Sequence, residues 1–241
     1  MNKRAIVTGA SRGIGRAIAT RLQGEGWSVL NLDIAAPADK DAAPGVWIET
    51  DLSDAANLES VLEKLLRDGP VCGLVNNAGL MTPTLLEETT VEDFDRTLAV
   101  NMRAPMQCAK AVAPGMRDAG FGRIVNISSR AHLGKTHRTA YSGSKGGILS
   151  MSNVWALEFA GDGITVNTIA PGPIRTELFE RSNPPNMPRT QEIIDSIPVG
   201  RIGEPGDIAG AAAFFMQESS SYITGQVLYV CGGVTLSRGG S

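Results

Sequence analysis

The sequence predicts an α/β fold, a single-domain Rossmann-like doubly wound parallel sheet of about seven strands with helices on both faces. Three observations carry this. Short apolar runs alternate with helical patterns along the whole chain, which calls for parallel strands joined by right-handed crossovers. The first apolar run leads straight into a glycine turn, Gly9-Ala10-Ser11-Arg12-Gly13-Ile14-Gly15. No Pro/Gly/Ser linker or internal repeat divides the 241 residues, so residues 1–241 read as one domain.

Residues 3–8 (KRAIVT) form the first strand, and residues 16–23 follow with Ala17, Ile18 and Leu22 at helical spacing. A glycine turn between strand and helix is a phosphate cradle. Its amides point at a pyrophosphate, the helix N-terminus favours negative charge, and missing Cβ atoms permit close approach. Residues 27–34 (WSVLNLDI) are a second strand ending in Asp33. A carboxylate there accepts bonds from the adenosine ribose hydroxyls and repels a 2′-phosphate, whereas Arg12 in the turn could pair with that phosphate. An unpaired carboxylate against a phosphate is costly, so NAD is expected in preference to NADP, with NADP possible.

Residues 46–50 form the third strand, followed by Asp51 and Leu52. Residues 54–67 are an amphipathic helix with Leu58, Val61, Leu62, Leu65 and Leu66 inward. Residues 71–75 form the fourth strand, closed by Asn76-Asn77-Ala78-Gly79, which reads as a turn or as a close approach to an adenosine or ribose. Residues 91–116 read as one long helix with Asn101 in its middle, where a buried asparagine satisfies backbone groups or a water. Residues 122–129 read as a buried strand ending in hydroxyls, and residues 140–159 as a helix. The sixth strand, residues 164–169, leads into Ala170-Pro171-Gly172-Pro173-Ile174-Arg175-Thr176. Residues 173–198 are expected to be an irregular substrate lid, with Leu178, Phe179 and Met187 as its apolar underside. Residues 207–216 are the last helix and residues 227–230 the seventh strand.

The chemistry concentrates between Asn126 and Gly147. Tyr141 and Lys145 are four apart, on one helical face. A serine hydroxyl at the end of the preceding strand joins them at the C-terminal edge of the sheet, where open α/β folds bind ligands. A phenol with a pKa of about 10 is a poor base at neutral pH, and a cation one turn away moves it toward the working range. Serine holds a carbonyl or alcohol oxygen without changing charge. Such a trio suits proton exchange with an oxygen whose carbon gains or loses hydride. Arg130, His132, Lys135, His137 and Arg138 lie in the same stretch. The simpler reading of them is a solvated loop or subunit contact; the sharper one is attraction of an anionic substrate.

Composition narrows the rest. A net charge of −3 gives no reason to expect nucleic acid or an anionic membrane as partner. No stretch has the length of a membrane span or the form of a secretory leader, so a cytoplasmic setting is expected. Cys72, Cys108 and Cys231 are scattered and two histidines are too few for a histidine-rich site, so no metal is expected.

Taken together and in order, these motifs resemble the short-chain dehydrogenase/reductase family over nearly the whole chain. The matching pieces are Thr8-Gly9-Ala10-Ser11-Arg12-Gly13-Ile14-Gly15, Asp51-Leu52, Asn76-Asn77-Ala78-Gly79, Asn101, Ser129, Tyr141-x-x-x-Lys145 and Pro171-Gly172 with Thr176. The resemblance implies an NAD(P)-dependent oxidoreductase interconverting a secondary alcohol and a ketone. In it Tyr141 is the acid/base, Lys145 lowers its pKa and holds the ribose, Ser129 orients the substrate oxygen, and Asn101 places a relay water. Cofactor contacts are implied for Gly9, Ser11, Arg12, Gly13, Ile14, Gly15, Asp33, Asp51, Leu52, Asn77, Ala78, Gly79, Tyr141, Lys145, Pro171, Gly172, Ile174 and Thr176. By the same analogy the chain forms homotetramers or homodimers on the two long helices around Asn101 and Tyr141.

The runner-up activity is NADPH-dependent reduction of a 3-oxoacyl thioester on acyl carrier protein, with Arg12 as its main support. A catalytically idle dinucleotide sensor is the reading from another class, and the intact Ser129, Tyr141 and Lys145 argue against it. Two departures from the family pattern stand out. Ser128 occupies the family's usual serine spacing, but the second of paired serines is commonly catalytic; Ser129 is chosen, with Ser128 as fallback. Cys231 stands where an aspartate often precedes the two glycines.

Overall fold

The structure, a computed structural model, describes residues 3–39 and 44–236, except for the side chains of Leu178 and Ser182. Seven strands form one parallel sheet: β1 (Arg4–Thr8), β2 (Ser28–Asp33), β3 (Val46–Glu49), β4 (Gly73–Asn76), β5 (Gly122–Ile127), β6 (Ile164–Pro171) and β7 (Val227–Val230), in the order 3-2-1-4-5-6-7. The register pairs Ile6 with Leu30 on one side and Leu74 on the other. The strand order reverses between β1 and β4, and this reversal opens a crevice at the C-terminal sheet edge.

Residues of the central strands alternate between two buried faces, and most of them are apolar. Ile6, Leu30, Leu74, Ile124 and Val166 face a layer made of α2 (Ala55–Arg67), α4 (Ala104–Ala119) and α5 (Thr139–Phe159). Ala5, Val7, Val29, Val75 and Val125 face α1 (Gly13–Gly24) and α8 (Pro205–Met216). Helix starts follow local chemistry. Asp54 caps α2 by accepting from the Ala56 and Asn57 amides, and Pro205 opens α8 at a position that needs no amide donor.

Two segments depart from the sequence expectation. Residues 91–116 are not one continuous helix: α3 (Val91–Leu98) passes through a π turn, Ala99–Arg103, before α4 begins. The wider turn carries Asn101, which is buried. Residues 173–198 are not irregular throughout but hold α6 (Glu177–Ser182) and α7 (Pro188–Asp195). Thr176 caps α6 by accepting from the Phe179 amide, and Pro188 opens α7. The side chain of Leu178 lies outside the described residues; Phe179 packs on a small cluster of Ile197, Ile202, Cys231 and Val234.

A buried polar network ties α5 to the sheet beneath the site. Asn76 Nδ2 donates to Asn126 Oδ1 (2.8 Å), Asn126 Nδ2 to Ser152 Oγ (2.8 Å), and Thr168 Oγ1 to Ser152 Oγ (3.0 Å). Ser152→Ala strands the Asn126 donor, at a cost of about 1–3 kcal/mol. Melting should drop by roughly 2–4 °C for each kcal/mol lost. An unchanged Tm in a thermal unfolding scan would contradict this.

Candidate active site

The glycine turn links β1 to α1 and is stitched from three sides. Gly9 has φ +67°, and a Cβ on Gly15 would overlap the Gly9 carbonyl oxygen and the Asn77 amide, so that position admits only glycine without rearrangement. Asn31 Oδ1 accepts from the Ala10 amide (2.9 Å), and Asn31 Nδ2 donates to Ser11 Oγ (3.0 Å). Asn77 Nδ2 donates to the carbonyls of Thr8 (2.9 Å) and Gly9 (3.1 Å), while Thr8 Oγ1 accepts from the amides of Asn77 and Ala78. The Asn77 side chain is thus used to brace the turn. Thr8 stood in the glycine-turn motif without a role, and Asn31 was missed by sequence reasoning, although a polar residue inside the apolar run SVLNLD was a visible signal for it.

The turn fits a pyrophosphate on its own geometry. The twelve-residue α1 has no side-chain cap and no acidic residue in its first turn, so its leading amides face the crevice without an internal anion. Across the gap, a Cβ on Gly13 would lie 3.5 Å from the Thr176 methyl, so the start of the 173–198 segment faces the turn. Ile174 is buried and bridges to Gly203, and the Gly172 amide donates to the Val230 carbonyl (2.9 Å). Pro171 ends β6.

At the end of β2 the Asp33 carboxylate is buried and accepts from two amides, Ser11 N to Oδ2 (3.1 Å) and Ala35 N to Oδ1 (3.0 Å). Asp51 Oδ1 accepts from Ser53 N (2.8 Å) and Ser53 Oγ (2.7 Å), and these bonds hold its carboxyl below the usual range. Leu52 is buried beside it and Arg12 is exposed.

The hydroxyl-bearing centre sits beyond β5. Ser128 and Ser129 point apart, as neighbours in extended chain do. Ser128 Oγ donates to the Lys145 carbonyl (2.7 Å), which turns it toward the α5 backbone. The Ser129 hydroxyl meets the Tyr141 phenol and also accepts from the Ala131 amide (3.1 Å). Lys145 Nζ donates to the Ile127 carbonyl (2.7 Å) and lies 5.8 Å from the centre of the Tyr141 ring. A Cβ on Gly79 would stand 3.5 Å from Lys145 Nζ and 3.7 Å from Asn101 Oδ1, so ammonium and carboxamide flank the turn after β4. Asn101 grips that turn from both ends: Leu80 N donates to Oδ1 (2.8 Å), and Nδ2 donates to the Leu80 carbonyl (2.9 Å). The same Nδ2 donates to Ser144 Oγ (2.9 Å), which in turn donates to the Tyr141 carbonyl (2.8 Å).

Electrostatics here differ from the sequence expectation in one respect. Burial pushes the Tyr141 phenol above its ordinary value; the Ser129 bond and the Arg138 charge pull against that without reversing it. Arg138 is the charge that pulls the phenol down, and Lys145 lies 5.8 Å from the ring centre. Lys145 is itself so buried that its ammonium is destabilised, to about 8. One further contact went unforeseen: His132 Nδ1 sits 2.6 Å from the Ser129 carbonyl and Nε2 2.8 Å from the Tyr229 hydroxyl, tying the serine loop to β7.

Comparison with known proteins agrees with this architecture. Residues 9–235 match the family described as Enoyl-(Acyl carrier protein) reductase. The chain is 35% identical over 247 residues to the (2S)-[(R)-hydroxy(phenyl)methyl]succinyl-CoA dehydrogenase subunit BbsD of Thauera aromatica, covering 99% of this chain and 98% of the relative. It is 36% identical to the 3-oxoacyl-[acyl-carrier-protein] reductase FabG of Escherichia coli, covering 96% and 97%. Among solved structures, a blue fluorescent protein from a metagenomic library, in complex with NADPH, superimposes with a TM-score of 0.87 at 35% identity, covering 97% of this chain and 99% of that one. With sheet order, glycine turn and full-length relatives in agreement, the chain belongs to the short-chain dehydrogenase/reductase family and is an NAD(P)-dependent oxidoreductase.

Proposed function

We propose that this protein interconverts a secondary alcohol and a ketone, with Tyr141 exchanging the proton on the substrate oxygen. The observation that carries the reading is the meeting of the Ser129 hydroxyl and the Tyr141 phenol beside a buried Lys145, at the sheet edge that also holds the glycine turn. The nicotinamide, when bound, accepts or supplies the hydride. Ser129 holds the substrate oxygen at the phenol. The phenol is protonated at neutral pH, all the more so because burial raises its pKa, and donates to that oxygen in reduction. Lys145 supplies positive charge behind the ring and holds the ribose, and Asn101 fixes α5 against the turn after β4. The cofactor rests on Gly9, Ser11, Arg12, Gly13, Ile14 and Gly15, on Leu52, Ala78 and Gly79, and on Pro171, Gly172, Ile174 and Thr176; Asn77 acts by bracing the turn. Residues 173–198 form the lid.

NAD is the cofactor this reading favours, because the buried Asp33 carboxylate stands where a 2′-phosphate would have to sit. The NADPH complex of the solved relative speaks for the phosphorylated form, and it keeps the second activity in view. That activity is reduction of a 3-oxoacyl thioester, supported by the names of the thioester-acting relatives and by the exposed Arg12. A panel of alcohols, ketones and 3-oxoacyl thioesters, followed by reduced-nicotinamide absorbance with NAD and NADP in parallel, separates the two. Turnover of thioesters alone, with NADPH alone, would overturn the favoured reading.

No helix among the described residues is long and apolar enough to cross a membrane, and we place the protein in the cytoplasm. Leu157 on α5 is 84% exposed and Met106 on α4 is 39% exposed, so the helical layer offers an apolar face for a homotetramer or homodimer.

A pH dependence follows from Lys145. A lysine held at about 8 carries its charge below that pH and loses it above. In reduction the phenol stays protonated through the neutral range, so kcat/KM is flat there and falls as pH rises through about 8. A profile level to pH 9.5 would remove Lys145 from the mechanism.

A further inference from the structure

His132 lies in a short 3₁₀ turn, Arg130–Leu133, that follows Ser129 directly. Its amide donates to the Ser129 carbonyl (3.2 Å), and its ring Nδ1 stands 2.6 Å from the same oxygen. The other ring nitrogen, Nε2, stands 2.8 Å from the Tyr229 hydroxyl, with the two ring centres 5.7 Å apart. Tyr229 is fixed in its turn, since it belongs to β7 and pairs with Ala170 of β6. The histidine also packs on α5, where a Cβ on Gly146 would lie 3.9 Å from the His132 Cβ. A half-buried imidazole is thus wedged between helix and sheet, with both of its nitrogens engaged inside the chain. For this residue, neither a solvated loop nor attraction of an anionic substrate describes the 130–138 stretch.

The partners fix the tautomer. A carbonyl oxygen only accepts, so Nδ1 carries a proton, and in the neutral ring Nε2 is bare and accepts from the Tyr229 hydroxyl. The bonds then run one way, from Tyr229 through the imidazole to the Ser129 carbonyl. What they hold is the serine that meets the phenol. On the strand side its neighbour Ser128 is locked, its amide donating to the Ile169 carbonyl (2.8 Å) and its hydroxyl to the Lys145 carbonyl (2.7 Å). On the far side the chain leaves the sheet, and rotation of the Ser129 peptide would swing the hydroxyl off Tyr141. There the Ala131 amide holds the hydroxyl and His132 holds the carbonyl. We propose that His132 is a positioning residue for the proton transfer: its Nδ1–H, backed by Tyr229, fixes the Ser129 peptide so that the serine hydroxyl stays on the Tyr141 phenol. A displacement of about 1 Å at a reacting group costs up to roughly a hundredfold in rate, so one such bond is enough to matter. The inference rests on the reading of Tyr141 as the acid/base and of Ser129 as the residue that holds the substrate oxygen.

Asparagine and glutamine separate the two ends of the ring. The amide nitrogen of an asparagine falls near the place of Nδ1 and that of a glutamine near Nε2, so H132N keeps a donor for Ser129 and H132Q keeps a partner for Tyr229. H132A and H132Q should lower kcat tenfold or more, while the cofactor Kd from calorimetric titration stays within twofold. H132N should recover to within fivefold of the wild type. Y229F keeps the Nδ1 donor and loses only its far anchor, and should do the same. A purely structural tie between the serine loop and β7 requires the opposite order, H132Q active and H132N impaired. That order, or equal kcat in all the variants, overturns the proposal. The tautomer gives a readout independent of turnover. The chain has two histidines, so a two-bond proton–nitrogen correlation spectrum shows two sets of ring signals, and H137Q assigns them. Recorded at about pH 8, above the ordinary imidazole value of about 6.5, His132 should show Nδ1 protonated and Nε2 bare. An Nε2–H ring overturns the proposal. Inert His132 variants beside an inactive Y141F overturn this inference alone, whereas a fully active Y141F overturns the acid/base reading and this inference with it.

Discussion

Tyr141→Phe should lower kcat by about 10²–10⁴ while cofactor affinity stays near the wild-type value. The selectivity of that loss comes from how the residue is held. The clamp running from Asn101 through Ser144 ends on the Tyr141 main-chain carbonyl, not on the phenol. Lys145 is anchored separately on the Ile127 carbonyl at 2.7 Å. Phenylalanine therefore keeps the ring, the helix position and the ammonium, and deletes only the hydroxyl that meets Ser129. Steady-state kinetics together with calorimetric titration of the cofactor check this. Wild-type turnover in the variant would refute the acid/base assignment, and a parallel collapse of cofactor binding would show that the substitution had disturbed the site as a whole.

Asp33→Ala should shift the NAD/NADP affinity ratio by about a hundredfold toward NADP, roughly tenfold from each side, with about 1.4 kcal/mol behind each factor of ten. In the wild type the carboxylate accepts from the Ser11 and Ala35 amides and is buried, so its charge is poorly screened. Removing it takes away the acceptor for the ribose hydroxyls and, at the same step, frees two amide donors to face a phosphate. Both changes act in one direction. The variant should also be less stable, since charge-assisted bonds are lost, but the ratio of two dissociation constants measured on one preparation is insensitive to a fraction unfolded. A ratio within twofold of wild type would show that Asp33 does not select the cofactor.

Residues whose role is read through short spacing were legible in the sequence. Tyr141 and Lys145 share a face because a helix repeats every 3.6 residues, and Gly9 to Gly15 mark a tight turn because a run of apolar strand residues stops just before them. The π turn was not legible: nothing in the periodicity of residues 91–116 announces one extra residue in a turn, and it takes the packing of Asn101 against Leu80 and Ser144 to favour it. The helices inside residues 173–198 were partly legible, since Thr176 and Pro188 are ordinary helix-start residues, although the cluster of Pro184, Pro185 and Pro188 reads as loop. Alternation along the chain showed that only one of Ser128 and Ser129 can face Tyr141. Which one does is a matter of how β5 twists onto α5, and the structure turns Ser129 to the phenol.

By itself the sequence determined the alternation of strands and helices, the glycine turn at the first strand's end and the paired phenol and ammonium, because each depends on contacts a few residues long. Only the tertiary structure decided the charge states. It buried Lys145 until its pKa falls to about 8, and it raised the phenol instead of lowering it. Desolvation and charge–charge energies are set by distances between residues far apart in the chain, and no local pattern records them.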